Sequence, residues 1–271
     1  MLHIATVHFG SPRWIEVQTR YLREHVRVPY KTWTSLQHID PSYSRYFDVV
    51  IEQQGSHAGK LNHLANEILH TASDEDLLMF LDGDAFPIAD PMPLVERSLA
   101  QASLVAVRRR ENAGDPQPHP CFATTTVGSW RKLAGDWSGG HTWVNETGER
   151  VSDVGGNLLR KLELTGTPWV EVLRSNRKDL DPIFFGIYGG VVYHHGAGFR
   201  GAHQLNRLHI SLTTNTHRST SSAVVERAIG PIGRYRRHAR HQHVRRRLSR
   251  LSASVYARIK RGDDAWLAQF E

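Results

Sequence analysis

The sequence predicts an α/β layered domain built on a mainly parallel sheet, and three observations carry that expectation. Strand-like and helix-like segments alternate through the first two hundred residues. One of them, Leu77-Leu78-Met79-Phe80-Leu81, is apolar at every position, the pattern of a strand covered on both faces. A chain of 271 residues with 39% hydrophobic side chains can also bury a substantial core, in one large domain or one domain with an appendage.

Residues 2–7 form the first expected strand, ending at Gly10-Ser11-Pro12. Trp14, Val17, Tyr21 and Leu22 then fall near helical spacing within residues 14–23. Short strands are expected at 30–35 and 48–51, and a helix over 58–70, where Leu61, Leu64, Ala65, Ile68 and Leu69 make one apolar face. After the 77–81 strand, residues 91–100 are helix-like and 104–107 make another strand. Residues 111–120 hold three prolines and no apolar period, so a loop is expected there, before a Thr-rich β-like stretch at 122–127 and a second loop at 137–148. Asp153 stands as the N-cap of a helix through Leu158, Leu159 and Leu162. A late strand at 191–194 runs into His195-Gly196-Ala197-Gly198. Ser and Thr mark a linker over 211–226, between a layered domain over 1–210 and a helical tail over 227–271. In that tail Val244, Leu248, Leu251, Val255 and Ile259 are spaced 4, 3, 4 and 4, one stripe of an amphipathic helix.

Composition removes several classes of protein. A single cysteine, Cys121, excludes an internal disulfide framework and a cysteine-based zinc cluster. No apolar run approaches the ~20 residues of a membrane-spanning helix. Residues 1–9 lack a basic leader and carry His3, Thr6 and His8, so no secretory signal is expected and a cytoplasmic location is. The formal charge of +7 is unevenly held: twelve Arg and Lys lie between Arg227 and Arg261 with no acidic residue, which leaves −5 for the remainder. Only the tail is therefore basic.

Asp-x-Asp occurs three times, as Asp74-Glu75-Asp76, Asp82-Gly83-Asp84 and Asp179-Leu180-Asp181. Only the second directly follows a buried strand, at the edge where open α/β sheets bind ligands. Two carboxylates flanking a glycine there can hold a hard divalent cation while a diphosphate approaches the backbone. The alternative is a tight turn whose aspartates cap backbone amides. Upstream, Gly59-Lys60-x-Asn62-x-x-x-Asn66 opens a helix whose free amides and dipole already favour anions.

With Gly59-Lys60 leading to Leu77-Leu78-Met79-Phe80-Leu81-Asp82-Gly83-Asp84, the sequence resembles the GT-A family of nucleotide-sugar glycosyltransferases over roughly residues 1–205. The resemblance implies a Rossmann-like three-layer sandwich and transfer of a hexosyl group from a UDP- or GDP-hexose, GDP-mannose among them, to a hydroxyl acceptor. Carried over by position, Thr6 is the candidate for the base site, and Lys60 and Asn62 for donor contacts. Asp82, Gly83 and Asp84 would hold ribose, diphosphate and Mg²⁺ or Mn²⁺. Tyr193-His194-His195-Gly196-Ala197-Gly198-Phe199-Arg200 resembles the family's late metal-binding histidine, which makes His194 or His195 a third ligand, the spacing from His195 to Gly198 suiting the family better, and Arg200 a diphosphate clamp. Without the aspartates, two strand-end histidines among the chain's 17 would be no more than a polar turn.

Asp153 is the family's general base if the reaction inverts, a sugar contact if it retains, and on its own merely a helix cap. His119 and Arg108 to Arg110 follow a strand end and are candidates to line the donor site, against a solvated arginine run. Trp130, Trp137, Trp143 and Trp169 make either a stacking platform for an acceptor sugar or part of the core. The acceptor is expected to be a saccharide or a lipid-linked one. The basic helix lies on the anionic inner membrane face, binds another anionic partner, or packs its stripe on the catalytic domain or on a second copy. Nucleic acid is not an expected partner, since only Tyr235 and Tyr256 interleave with the basic residues. A nucleotidyltransferase, the nearest rival activity, would carry a Gly-rich phosphate loop, which Phe9-Gly10-Ser11-Pro12-Arg13 is not.

Overall fold

The computed structural model describes residues 1–196, 230–262 and 264–271, with side chains throughout these except at 230–241 and 264. The chain divides into two compact units, Met1–Asn176 with Gly186–His194, and Arg177–Phe185 with His195–Glu271. The expected linker at 211–226 lies outside the described residues.

In the first unit the central sheet has seven strands. They are β1 (Leu2–Phe9), β2 (Tyr30–Gln37), β3 (Val49–Val50), β4 (Leu77–Asp82), β6 (Leu104–Arg108), β7 (Pro118–Thr126) and β10 (Trp169–Val172). Their order is β10-β6-β7-β4-β1-β2-β3. Every neighbouring pair is parallel except the two made by β7, which runs antiparallel between β4 and β6. The mixed, mainly parallel sheet is the one the sequence predicts.

Alternation along the strands sorts side chains to two cores. Ala5, Val7, Leu78 and Phe80 face α2 (His57–Thr71), α4 (Val127–Leu133) and α5 (Gly156–Thr165), whose Leu61, Leu64, Trp130 and Leu158 fill that side. Leu2, Ile4, Met79 and Leu81 face the other way, with Leu22 of α1 (Ile15–His25) and Val95 of α3 (Met92–Leu99). The result is the three-layer sandwich. Trp130 and Trp137 ring Phe80 at 4.9 and 5.0 Å and are 2% and 0% exposed, so these two belong to the core and not to a sugar platform. Trp143 and Trp169 are half-buried.

A second, three-stranded antiparallel sheet follows the order β11-β12-β5, from β5 (Ala85–Pro87), β11 (Gly186–Tyr188) and β12 (Val192–His194). Two short strands, β8 (Trp143–Val144) and β9 (Arg150–Val151), pair within the expected loop. The sequence reading began β7 at residue 122. The strand instead opens at Pro118, because the register jumps from Ala106–Ala123 to Val107–His119 and the bulge absorbs Pro120, which has no N–H to give the ladder. Helix α4 was not anticipated, although Thr126 caps it through a 3.0 Å bond from the Ser129 amide.

In the second unit, α6 (Gly230–Arg261) carries Leu248, Val255 and Ile259 at 6% exposure or less, while Arg246, Arg247 and Arg250 are exposed. A helix lying on lipid would need that apolar stripe outward. The other two residues of that stripe, Val244 and Leu251, are half-buried. No helix among the described residues is long and apolar enough to cross a membrane.

Candidate metal and nucleotide-sugar site

Asp82 is the last residue of β4, paired across the parallel ladder with Val7. Leu78 and Phe80 point towards α2, so a strand's alternation sends the Asp82 side chain the same way. There it meets the first turn of α2, where His57 Nε2 lies 2.9 Å from Asp82 Oδ1. Gly83 and Asp84 turn the chain into β5, both of them buried. In the second sheet Ala85 pairs with His194, which brings that imidazole to the turn from more than a hundred residues away.

His194 Nε2 lies 3.4 Å from Asp84 Oδ1 and 3.6 Å from Asp82 Oδ2. Asp82, Asp84 and His194 each offer one ligand atom, and these lie within 4.8 Å of one another. The separations are long for hydrogen bonds, and they match two donors on one ion bound at ~2.1 Å to each. Two carboxylates and an imidazole suit a divalent cation with oxygen and nitrogen affinity, Mn²⁺ or Mg²⁺. His119, re-aimed by the β7 bulge, adds a third imidazole at 3.9 Å from Asp82 Oδ2. Burial alone would raise the Asp82 carboxyl. The His57 hydrogen bond and the charges of His57, His119 and His194 outweigh it and hold Asp82 well below the usual carboxylate range. Burial likewise keeps His119 far below the ordinary imidazole value.

The remaining candidates are placed as follows. His195 is not in the cluster: its Nε2 is 2.7 Å from Ser252 Oγ, in the second unit. Thr6 is not at a strand end, because β1 continues through the buried His8 to Phe9; its hydroxyl donates to Gln18 Oε1 at 3.2 Å. Lys60 is 2% exposed, donates to Gln37 Oε1 at the end of β2 and stands 5.0 Å over the Phe9 ring. Burial lowers its amine from the ordinary lysine value.

Asn62 is committed to the segment after α4. Its Nδ2 donates to Asp136 at 2.6 Å and its oxygen accepts from the Trp137 amide at 2.8 Å. Asp153 is exposed and is not the cap of α5; that position belongs to Gly155 at φ +87°, and the Asp153 carboxylate accepts from the Val154 amide. Arg108 and Arg110 both bind Glu171, at 2.6 and 2.7 Å, and Arg109 is buried beside Glu111. Arg200 lies outside the described residues. His57 and Gln18 were missed: His57 directly follows the cap Ser56, a legible helix start, whereas nothing local marks Gln18.

No protein-family model matches the chain, and no curated protein matches its sequence. Among solved structures it is similar to a mannosyltransferase of Pyrobaculum calidifontis, PcManGT, held in complex with GDP-Man and Mn²⁺. That match is 14% identical, with 98% of this chain and 77% of that one covered and a TM-score of 0.45. The glycosyltransferase GlyE of Streptococcus pneumoniae TIGR4 is 15% identical over 64% of this chain and 46% of its own, with a TM-score of 0.41. The galactosyltransferase LgtC is 11% identical over 48% and 59%, with a TM-score of 0.35. The chain spans only 30% to 59% of the first structures it matches. These proteins are glycosyltransferases, as the resemblance of the sequence implies, but likeness of this degree leaves the chemistry of the present chain to be carried by its own residues.

Proposed function

We propose that the chain is a metal-dependent glycosyltransferase that moves a hexosyl group from a nucleoside diphosphate hexose to a hydroxyl acceptor, a saccharide in free or lipid-linked form. The observation that carries this reading is the convergence of Asp82, Asp84 and His194 at the carboxyl end of β4. A divalent ion bound there, Mg²⁺ or Mn²⁺, supplies positive charge for the diphosphate oxygens as the nucleotide departs. Asp82, Asp84 and His194 are its protein ligands in this reading. His57 keeps Asp82 oriented and ionised by holding Oδ1. Lys60, at the mouth of β1 and β2, is the cation on the donor side of the sheet edge.

Transfer breaks the bond from the sugar C1 to the diphosphate oxygen and forms one to the acceptor oxygen, whose proton must leave. In an inverting reaction the exposed Asp153 carboxylate takes that proton. In a retaining one it contacts a sugar instead. The donor is a UDP- or GDP-hexose, with GDP-mannose included.

The test is release of free nucleotide from UDP-glucose, UDP-galactose and GDP-mannose, each with Mn²⁺ and with chelator. Metal-dependent release is expected with one donor, falling about 100-fold or more in Asp84→Asn, the scale of losing a charge-stabilising group. Release that ignores chelator, or that Asp84→Asn leaves intact, would contradict the reading.

A further inference from the structure

We propose that Gln18 is the positioning residue of the Asp82–Asp84 turn, a single buried amide whose four hydrogen bonds hold the carboxylates in place for their ion. The proposal rests on the metal reading above and adds a residue to it that no motif contains.

Gln18 lies in α1, 1% exposed. Its Nε2 donates to the Asp82 carbonyl at 2.8 Å and to the Ala85 carbonyl at 2.7 Å. Those two carbonyls are the first and last of the turn, so one side chain spans both of its ends. Its Oε1 accepts from Thr6 Oγ1 at 3.2 Å and lies 3.1 Å from His8 Nε2. Thr6 and His8 are two apart on β1 and so share the face towards α1.

The orientation of the amide is over-determined. Carbonyl oxygens only accept, so the nitrogen must face Asp82 and Ala85. The oxygen then faces Thr6 and His8, both of which can donate. A flipped amide would set oxygen against two carbonyls. His8 meets its part as a neutral ring with the proton on Nε2, and burial holds its pKa down to about 4. All four positions on Gln18 are thereby filled, and in a buried setting each unmet one would be costly.

Gln18 adds to the ladder pairings of Asp82 with Val7 and of Ala85 with His194 a side-chain bond at each end of the turn. Asp82 has its carboxylate among imidazoles and its carbonyl on Gln18; Asp84 follows one residue after a glycine. Fixing the carbonyls at both ends removes the freedom that Gly83 would otherwise give the two carboxylates. Partners behind metal ligands commonly set affinity by 10- to 100-fold when removed.

The experiment is Mn²⁺ binding followed by the electron paramagnetic resonance of the free ion, with a thermal melt of each protein beside it. The variants are Gln18→Met, which keeps the volume and loses the four bonds, and Gln18→Glu, which keeps an acceptor for Thr6 and His8 and, with at most one O–H, cannot donate to both ends of the turn. Each is expected to weaken Mn²⁺ by about 10-fold or more while still giving a cooperative melt. Thr6→Val, which removes one bond and leaves the clamp, is expected to weaken it by less, and it serves as the deciding variant should both Gln18 proteins fail to fold. Wild-type affinity in folded Gln18→Met and Gln18→Glu, with binding lost in Asp84→Asn, would overturn the role of Gln18 and leave the metal reading standing. Unchanged affinity in Thr6→Val with both Gln18 proteins unfolded would overturn it as well. Failure of the wild type to bind Mn²⁺ would remove the metal reading and the proposal together.

Discussion

Asp115 shows how far one buried carboxyl can depart from its ordinary behaviour. It is 5% exposed, accepts from Asn112 Nδ2 at 2.5 Å and has Asp153 as a charged neighbour. Burial, reinforced by Asp153 and only partly offset by Asn112 and Arg109, pushes its pKa up to about 6 from 3.8. Between those values the folded chain holds a proton that the unfolded chain has released. The stabilising contribution is complete below the lower value and is lost as pH rises through the upper one. Asp115→Asn removes this titration, so its stability relative to wild type is expected to gain about 2 kcal/mol between pH 4 and 7.5. Urea melts at the two pH values check this, and parallel pH dependence in the two proteins would refute it. At this scale the sequence showed the residues bearing unusual patterns, Asp82 and Asp84, because a glycine-flanked pair behind an apolar strand stands out. It named both His194 and His195 with the spacing in favour of His195, whereas the pairing of β12 with β5 brings His194 to the turn. It placed Thr6 near the end of a strand over 2–7, whereas β1 runs on to Phe9 and Thr6 is buried. Gln18 was invisible, because a glutamine in a helix carries no local sign of what it will touch.

At the scale of elements, the structure separates support from site. Asn62 of α2, Asp136 and Asn157 of α5 form one chain of hydrogen bonds, at 2.6 and 2.9 Å about the Asp136 carboxylate. Burial works to raise the Asp136 pKa, but the Ser138 amide and these donors bring it down to about 2. Asn62→Leu is expected to cost about 2 kcal/mol by leaving the Trp137 amide and Asp136 short of partners. It should leave Mn²⁺ affinity where it is in wild type; a large loss of metal with no loss of melting temperature would return Asn62 to the donor site. The start of α5 gives a matched comparison. Gly155 has φ +87° and a Cβ there would stand 2.2 Å from the Pro118 carbonyl oxygen, whereas Gly166, at the other end of the helix, has φ +62° and open space. Gly166→Ala is expected to cost about 1 kcal/mol from backbone strain alone, and Gly155→Ala at least about 2 kcal/mol more, from strand β7 having to move. Equal melting temperatures for the two would show that α5 does not rest on β7 as described. Strands and helices with a clear period were legible here. The bulged start of β7 was not, because its prolines argue against a strand until the register jump, which leaves residues 120–122 unpaired with β6, is seen.

Across the whole molecule, the alternation of elements foretold the mainly parallel sheet, since buried parallel strands declare themselves by continuous apolar runs. The late strand expected at 191–194 stands as β12, whereas β5 and β11 could not be foretold, as three residues carry no period; it is the pairing of β12 with β5 that delivers His194 to the turn. The concentration of charge in the last segment was plain from composition, and so was the spacing of the apolar stripe of α6, of which Leu248, Val255 and Ile259 are buried.

The central claim is that the acidic turn binds a nucleoside diphosphate through a metal ion. The most direct measurement is the melting temperature of the wild type and of Asp84→Asn with UDP, GDP and ADP, each with Mn²⁺ and with chelator. A ligand that binds only the folded chain must raise it, by about 2.7 kcal/mol of stability at a hundred times its dissociation constant. The account predicts a rise with one nucleotide that requires Mn²⁺ and disappears in Asp84→Asn. No rise with any nucleotide, or a rise indifferent to both Mn²⁺ and Asp84, would contradict it.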